Sequence, residues 1–207
     1  MRLITKHPEP PTLTTYRESG GTWADFSLEK GKRIVKESLL REQFSLCAYC
    51  TQRIRFDRMK IEHYFPRTLS DNEKIKLIYG NLLACCPGLA YGGDIRHCDT
   101  GRPDRELSIN PQRPEHIRRL SFNLVNGKLS SSNPEHQEDI DKDLNLNNRY
   151  LRERRVQHLL EFKKLLEKQH PGRTANARRY MQSLQKSEPE PFQGIVLTYL
   201  RKRLHRS

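Results

Sequence analysis

Cys47 and Cys50 stand three apart in "CAYC". That spacing forms a knuckle from which two thiolates can grip a tetrahedral ion from one side. A second pair must close such a site. Cys86 and Cys98, separated by 11 residues, are the candidates, with Cys85 as the alternative to Cys86 and His97 as the alternative to Cys98. Soft sulfur donors in a four-ligand set select zinc. Twelve and thirteen positions beyond the knuckle come Glu62 and His63, in "IEHYFP". In a strand, neighbouring side chains point to opposite faces, so the two need not make the same contact. A carboxylate holds a hard cation through oxygen, and a neutral imidazole takes a proton from water near pH 7.

These residues need elements to position them. "FSLEKGKRIVKESLLREQF" has Ile34, Val35, Leu39 and Leu40 at helical spacing with Ser27 as cap, so a helix leads into Cys47. "RIRFDRMKIEHYF" places β-formers around a turn near Asp57-Arg58 and reads as a hairpin between Cys47 and Pro66. "PGLAYGGDIRHCDTGRPD" is rich in Gly and Pro and reads as irregular. Residues 1–22 read as an extended arm. Asn126-Gly127 marks a turn. From Leu144 onward the pattern is helical, with Val156, Leu159, Leu160 and Leu166 forming an apolar stripe that Pro171-Gly172 stops. Two further helices follow, over "TANARRYMQSLQK" and "PFQGIVLTYLRKRL". Trp23 reads as a packing residue. The remaining histidines, His116 and His136 among them, lack metal-like neighbours and read as surface residues.

The chain of 207 residues is 34% hydrophobic and 30% charged, enough for a small core that a metal would help to staple. Its net charge is +13. Residues 149–207 carry 15 Lys and Arg against 5 Asp and Glu, which is +10, and the remainder carries 23 against 20, which is +3. A basic surface concentrated in this way suits a polyanion, and Arg152, Arg154 and Arg155 are candidates for phosphate contact. No stretch approaches the ~18 apolar residues that cross a bilayer, and the start lacks a leader-like apolar run, so a cytoplasmic protein without a membrane partner is expected. In a reducing compartment five cysteines serve as metal ligands, nucleophiles or buried thiols rather than disulfides.

"CAYC … IEHYFP … YGNLLACC … HCD" resembles the HNH, or ββα-metal, endonuclease motif. The flanks "LLREQFSLCAYC", "INP" at Ile109–Pro111 and "LNLN" at Leu144–Asn147 are most similar to its PtuB group, the nuclease component of Septu and retron-associated anti-phage systems. The resemblance implies an α+β fold: a small zinc-stapled ββα-metal core over residues 47–106, an N-terminal arm and helix over 1–46, and a basic, mostly helical region over 107–207. It implies that His63 is the general base that activates water, and that Asn81 braces the loop and orients the imidazole. Glu62 and Asp99 would hold a catalytic Mg²⁺ or Mn²⁺ ion, and Cys47, Cys50, Cys86 and Cys98 a structural Zn²⁺ ion. Arg67, Arg152, Arg154 and Arg155 would meet nucleic acid. The implied partners are a PtuA-like ATPase subunit and DNA, with RNA as the alternative substrate. Gly101 and Pro103 fall where the motif's α element should lie, so a short or distorted metal-site helix is expected. A zinc-ribbon binding module without catalysis is the rival reading. It accounts for the cysteines and the charge, but leaves Glu62, His63, Asn81 and Asp99 as coincidence.

Overall fold

The computed structural model describes residues 1–26, 30–69, 71–169 and 175–204. The expected Ser27 cap and the Pro171-Gly172 stop lie outside them. Within the described residues the chain is a small α+β fold with few, short strands.

The expected extended arm instead contains a helix, α1, Pro11–Glu18. Pro11 sits in its first turn, where a fixed φ is already helical and a missing N–H costs nothing. Leu13 is fully buried. The helix expected before the knuckle is α2, Lys30–Glu42. It buries Val35 and Leu39, while Ile34 stays at the surface.

The expected hairpin between Cys47 and Pro66 does not form. The segment after the knuckle makes one isolated bridge, Leu46 with Arg53, and then a turn. Strand β1, Lys60–His63, pairs antiparallel with β2, Leu82–Cys85, opposing Glu62 to Leu83 and His63 to Leu82. The reason is burial. Arg53, Arg55, Phe56, Asp57 and Arg58 are all exposed, whereas every residue of β2 is buried. An apolar strand covered on both faces gives β1 far more surface to hide than the charged 53–58 segment does. The stretch expected to be irregular carries a short antiparallel pair, Leu89–Ala90 with Ile95–Arg96, and a further hairpin joins β3, Leu120–Phe122, to β4, Leu129–Ser131. Its connection turns at the expected place, where Gly127 has φ +69°.

Three helices close the chain: α3, Arg149–Gln169; α4, Ala175–Lys186; and α5, Gln193–Leu204. The buried stripe of α3 runs through Leu151, Arg155, Leu159 and Leu166, whereas Leu160, expected inside, is 45% exposed. One hydrophobic cluster joins Val35, Leu82, Ile109, Leu159 and Leu200, so residues from all three expected segments share a core. Among the described residues no helix is long and apolar enough to cross a membrane.

Candidate metal centre and adjoining cleft

The sulfurs of Cys47, Cys50, Cys86 and Cys98 lie within 4.8 Å of one another, and all four residues are buried. Two of the edges, Cys47 to Cys98 and Cys50 to Cys86, measure 3.9 Å. Four sulfurs at ~2.3 Å around a tetrahedral zinc ion are ~3.8 Å apart, so the set already has the dimensions of a zinc site. None of the cysteines is in a disulfide.

Three devices hold the sulfurs there. At the end of α2, the buried Gln43 side chain donates to the carbonyls of Leu46 and Ala84 and accepts from Ala84 N–H. This ties the knuckle to β2, and Ala48 N–H bonds the Ala84 carbonyl at 2.9 Å as well. The knuckle closes by Thr51 N–H donating to the Cys47 carbonyl, with Thr51 at φ +62°. Cys86 follows β2 directly. Cys98 comes back on a distant loop, held in a left-handed conformation (φ +55°) by its N–H bond to the Leu144 carbonyl.

Gly88 makes that return possible. It has φ +72°, and a Cβ there would stand 2.3 Å from the His97 carbonyl oxygen and 2.7 Å from Thr100 Oγ1. Gly88→Ala should therefore push the Cys98 loop off its neighbours. Zinc affinity is expected to drop at least about tenfold, because the ligand rather than the periphery is displaced. Competition against a chromophoric chelator measures this; wild-type affinity would mean that the loop yields freely.

The two open choices among ligands resolve geometrically. Cys86, not Cys85, belongs to the sulfur cluster. Cys85, the last residue of β2, is fully buried outside that group, and burial pushes its thiol up and favours the neutral form. Cys98, not His97, completes the set. His97 is buried beside it, with Nδ1 at 3.2 Å from Cys98 Sγ. A Nδ1–H donor there stabilises a ligating thiolate, the usual task of groups just outside a metal's ligands.

Next to this centre is a cleft of about 500 Å³ that Glu62, His63 and Asp99 all line. Glu62 is almost completely buried. It accepts from the Tyr49 hydroxyl at 3.1 Å and pairs with the Arg102 guanidinium. Burial, followed by the neighbouring Asp99 carboxylate, pushes Glu62 up to about 9. Arg102 pulls the other way. One guanidinium does not offset burial and a second carboxylate together, so this acidic pair is short of positive charge. Asp99 is more open, and its ion pair is with Lys60 at 3.5 Å. Arg102 also reaches the carbonyls of Tyr64 and Arg105, each at 2.8 Å, so it ties the end of β1 to the loop beyond Cys98.

His63 Nε2 lies 3.0 Å from the Lys76 carbonyl oxygen. A carbonyl only accepts, so Nε2 carries the hydrogen and Nδ1 keeps the lone pair that can take a proton. The Trp23 ring meets the imidazole edge-on at 4.4 Å. Burial pushes the His63 pKa down to about 4, which leaves the ring neutral at pH 7. Asn81 does not line the cleft. Its Oδ1 accepts from Phe65 N–H at 2.6 Å, its Nδ2 donates to the Phe65 carbonyl at 3.2 Å, and its own carbonyl accepts from Tyr64 N–H. It fixes the backbone just after His63, and the imidazole through that.

Where a short or distorted helix was expected, the chain makes a single 3-10 turn, Cys98–Gly101, consistent with Gly101 and Pro103. The basic groups of the cleft are Lys32, Lys36, Lys60, Arg67 and Arg102. Only Arg67 of these comes from the expected set. Lys60 had a signal: it stands two before Glu62 on one strand and so shares its face. Lys32 and Lys36 had one too, four apart on a helix. Tyr49 and Arg102 had none. Of the three arginines expected to meet phosphate, Arg154 is exposed, Arg152 is half-buried and bonds the Asn126 carbonyl, and Arg155 is 1% exposed. Arg155 is therefore corrected: it lies in the core and cannot reach a phosphate. His136 is likewise buried, its ring against that of His116.

A scan against protein-family models finds no match for the chain, and a comparison with curated proteins finds none.

Proposed function

We propose that this protein is a metal-dependent endonuclease of HNH type, cutting DNA by water attack on phosphorus. The observation that carries the reading is the convergence of Glu62, His63 and Asp99 on one basic cleft beside a zinc-sized sulfur cluster. A binding module has no use for a buried neutral imidazole whose tautomer is fixed so that Nδ1 is free to accept a proton.

The donors fit a hard divalent ion. Glu62 and Asp99 offer adjacent carboxylate oxygens, the ligand type that Mg²⁺ or Mn²⁺ takes, and two carboxylates plus water and phosphate oxygens are its usual protein complement. Bound there, the ion would offset charge on the phosphate and on the leaving oxygen. The chain's own residues do the rest. His63 Nδ1 takes the proton of the attacking water, while the Lys76 carbonyl keeps Nε2–H in place. Asn81 holds the loop that sets the ring's position. Lys32, Lys36, Lys60 and Arg67 neutralise the backbone phosphates around the scissile bond. The sulfur cluster takes no part in the chemistry; it brings the Cys98–Asp99 turn next to β1.

The flanking resemblance to the PtuB group supports a place in an anti-phage complex with a PtuA-like ATPase in the cytoplasm, where five free cysteines stay reduced. RNA is the alternative substrate, because the catalytic set acts on the phosphate and reads no base.

The test is cleavage of plasmid DNA and of single-stranded RNA with Mg²⁺, Mn²⁺ or EDTA, with and without the ATPase. Divalent-dependent nicking is expected. No cleavage of either polymer under any of these conditions would favour the zinc-ribbon module. Lys32→Glu with Lys36→Glu should weaken DNA binding and reduce the slope of log affinity against log salt by up to about 2, one unit per lost phosphate contact. An unchanged slope would place the nucleic acid elsewhere.

A further inference from the structure

The turn between the knuckle and β1 holds an aromatic ring out in solvent. Phe56 is 39% exposed, and among the described residues it is the one aromatic ring in the exposed apolar set. The Arg55 carbonyl accepts from the N–H groups of Arg58 and Met59, at 3.1 and 2.9 Å, so Phe56 and Asp57 are the corner residues of a tight turn. Both sides of that turn are anchored. Ile54 and Met59 are buried, Ile54 N–H bonds the Ser45 carbonyl at 2.9 Å, and Arg53 Nη1 bonds the Phe44 carbonyl at 2.9 Å. The ring therefore stands on a fixed corner of the chain.

Its neighbours are cations. Arg53, Arg55 and Arg58 are all exposed, against one carboxylate, that of Asp57, which pairs with Arg55 at 3.1 Å. Lys36 lies over the ring, with Nζ 5.3 Å from its centre, and Lys36 also lines the cleft that holds Glu62, His63 and Asp99. Met59 and Lys60, where the chain leaves the turn, line the same cleft. The ring thus borders the cleft through Lys36 on one side and through its own chain on the other. A lone exposed apolar side chain is ordinary on a protein surface. A ring fixed among arginines beside a basic cleft has the two parts of a single-strand platform: cations that take phosphates and a face on which any base can stack.

We propose that Phe56 is a stacking platform for an unpaired nucleobase of the DNA strand that enters the cleft, with Arg55 and Arg58 on the adjoining phosphates. The inference rests on the nucleic-acid reading above and adds what the cleft alone does not supply. Lysines and arginines hold the phosphates of any strand, whereas an open ring rewards a base that is not already stacked within a duplex.

Binding of the full chain to labelled oligonucleotides, without added Mg²⁺ or Mn²⁺ so that nothing is cut, tests it. Two ligands are compared, a single strand of DNA and an abasic strand of the same length. Phe56→Leu should bind the normal strand about 5- to 100-fold more weakly, the usual effect of removing one stacked ring, and the abasic strand within about twofold of wild type. Phe56→Tyr keeps a ring and should stay within about twofold on both. Arg58→Gln should weaken both strands alike and flatten the slope of log affinity against log salt by about 0.7, one phosphate contact on a single strand, whereas Phe56→Leu should leave that slope unchanged. Wild-type affinity of Phe56→Leu for the normal strand would overturn the proposal. So would an equal loss on both strands, because the ring would then act only by placing Lys36, or an equal loss in Phe56→Tyr. Those results would leave the nuclease reading standing, whereas a wild type that binds neither strand would end both.

Discussion

On the proposed mechanism, His63→Ala should keep zinc and DNA affinity and lose cleavage by about 10²–10⁴-fold, the range that a positioned general base contributes. The ring is separate from the sulfur cluster, and its contacts are one carbonyl, that of Lys76, and the edge of Trp23. Removing it leaves a void beside Trp23 but no ligand displaced. Glu62→Ala and Asp99→Ala should behave differently. Each should raise the divalent concentration needed for activity, and high Mg²⁺ or Mn²⁺ should restore part of the rate, whereas no ion restores His63→Ala. Single-turnover cleavage across a metal titration separates the two patterns. A wild-type rate in His63→Ala would end the nuclease mechanism proposed here.

A stability measurement on the same variant follows from the burial of His63. Its folded pKa is pushed down to about 4 from an ordinary 6.5. Between those values the unfolded chain holds the proton and the folded chain does not. Stability associated with the neutral ring is therefore present at pH 7 and is lost as pH falls from 6.5 towards 4. The alanine variant lacks that dependence. Its deficit relative to wild type should shrink between pH 7 and pH 5 in denaturant titrations, and a deficit that grows would show that the ring is charged in the folded protein.

Much of the site was legible because its residues are tied to local spacing. The knuckle is set by two cysteines three apart. The closeness of Glu62 to Lys60 follows from strand alternation, and the short 3-10 turn after Cys98 follows from Gly101 and Pro103. What was not legible depends on long-range competition. Residues 53–58 have strand-forming types, yet β1 pairs with β2, its partners lying 19 positions on at His63–Leu82 and 25 at Lys60–Cys85. Whether β1 meets 53–56 or 82–85 is decided by which partner buries more apolar surface, and that needs the core. Arg102 reaches Glu62 across 40 residues of chain for the same reason. Arg155 is the instructive case. It lies four after Leu151 and four before Leu159, both buried, so its helical position already put it on the inner face. Its charge suggested the surface, and position outweighed residue type.

Cys86→Ser should leave a chain that holds no zinc and does not fold, while Cys85→Ala should hold one zinc ion and fold. The two positions are neighbours in sequence and both are buried, so the contrast isolates ligation from burial. Cys86 is within 4.8 Å of three other sulfurs, and Cys85 is outside that set. A serine hydroxyl is a poor zinc ligand at neutral pH, and three sulfurs cannot close the tetrahedron. Structural zinc contributes roughly 10–16 kcal/mol in isolated finger peptides, about the whole stability of an ordinary domain. A chain only 34% hydrophobic has little else to fall back on. At Cys85 the loss is one buried sulfur, a cavity smaller than a leucine truncation leaves, and about 1 kcal/mol is expected. Elemental analysis and circular dichroism of each variant, purified without added metal, give the answer. Zinc retained by Cys86→Ser and lost from Cys85→Ala would reverse the ligand assignment. Zinc retained by both would mean that the ion is held elsewhere.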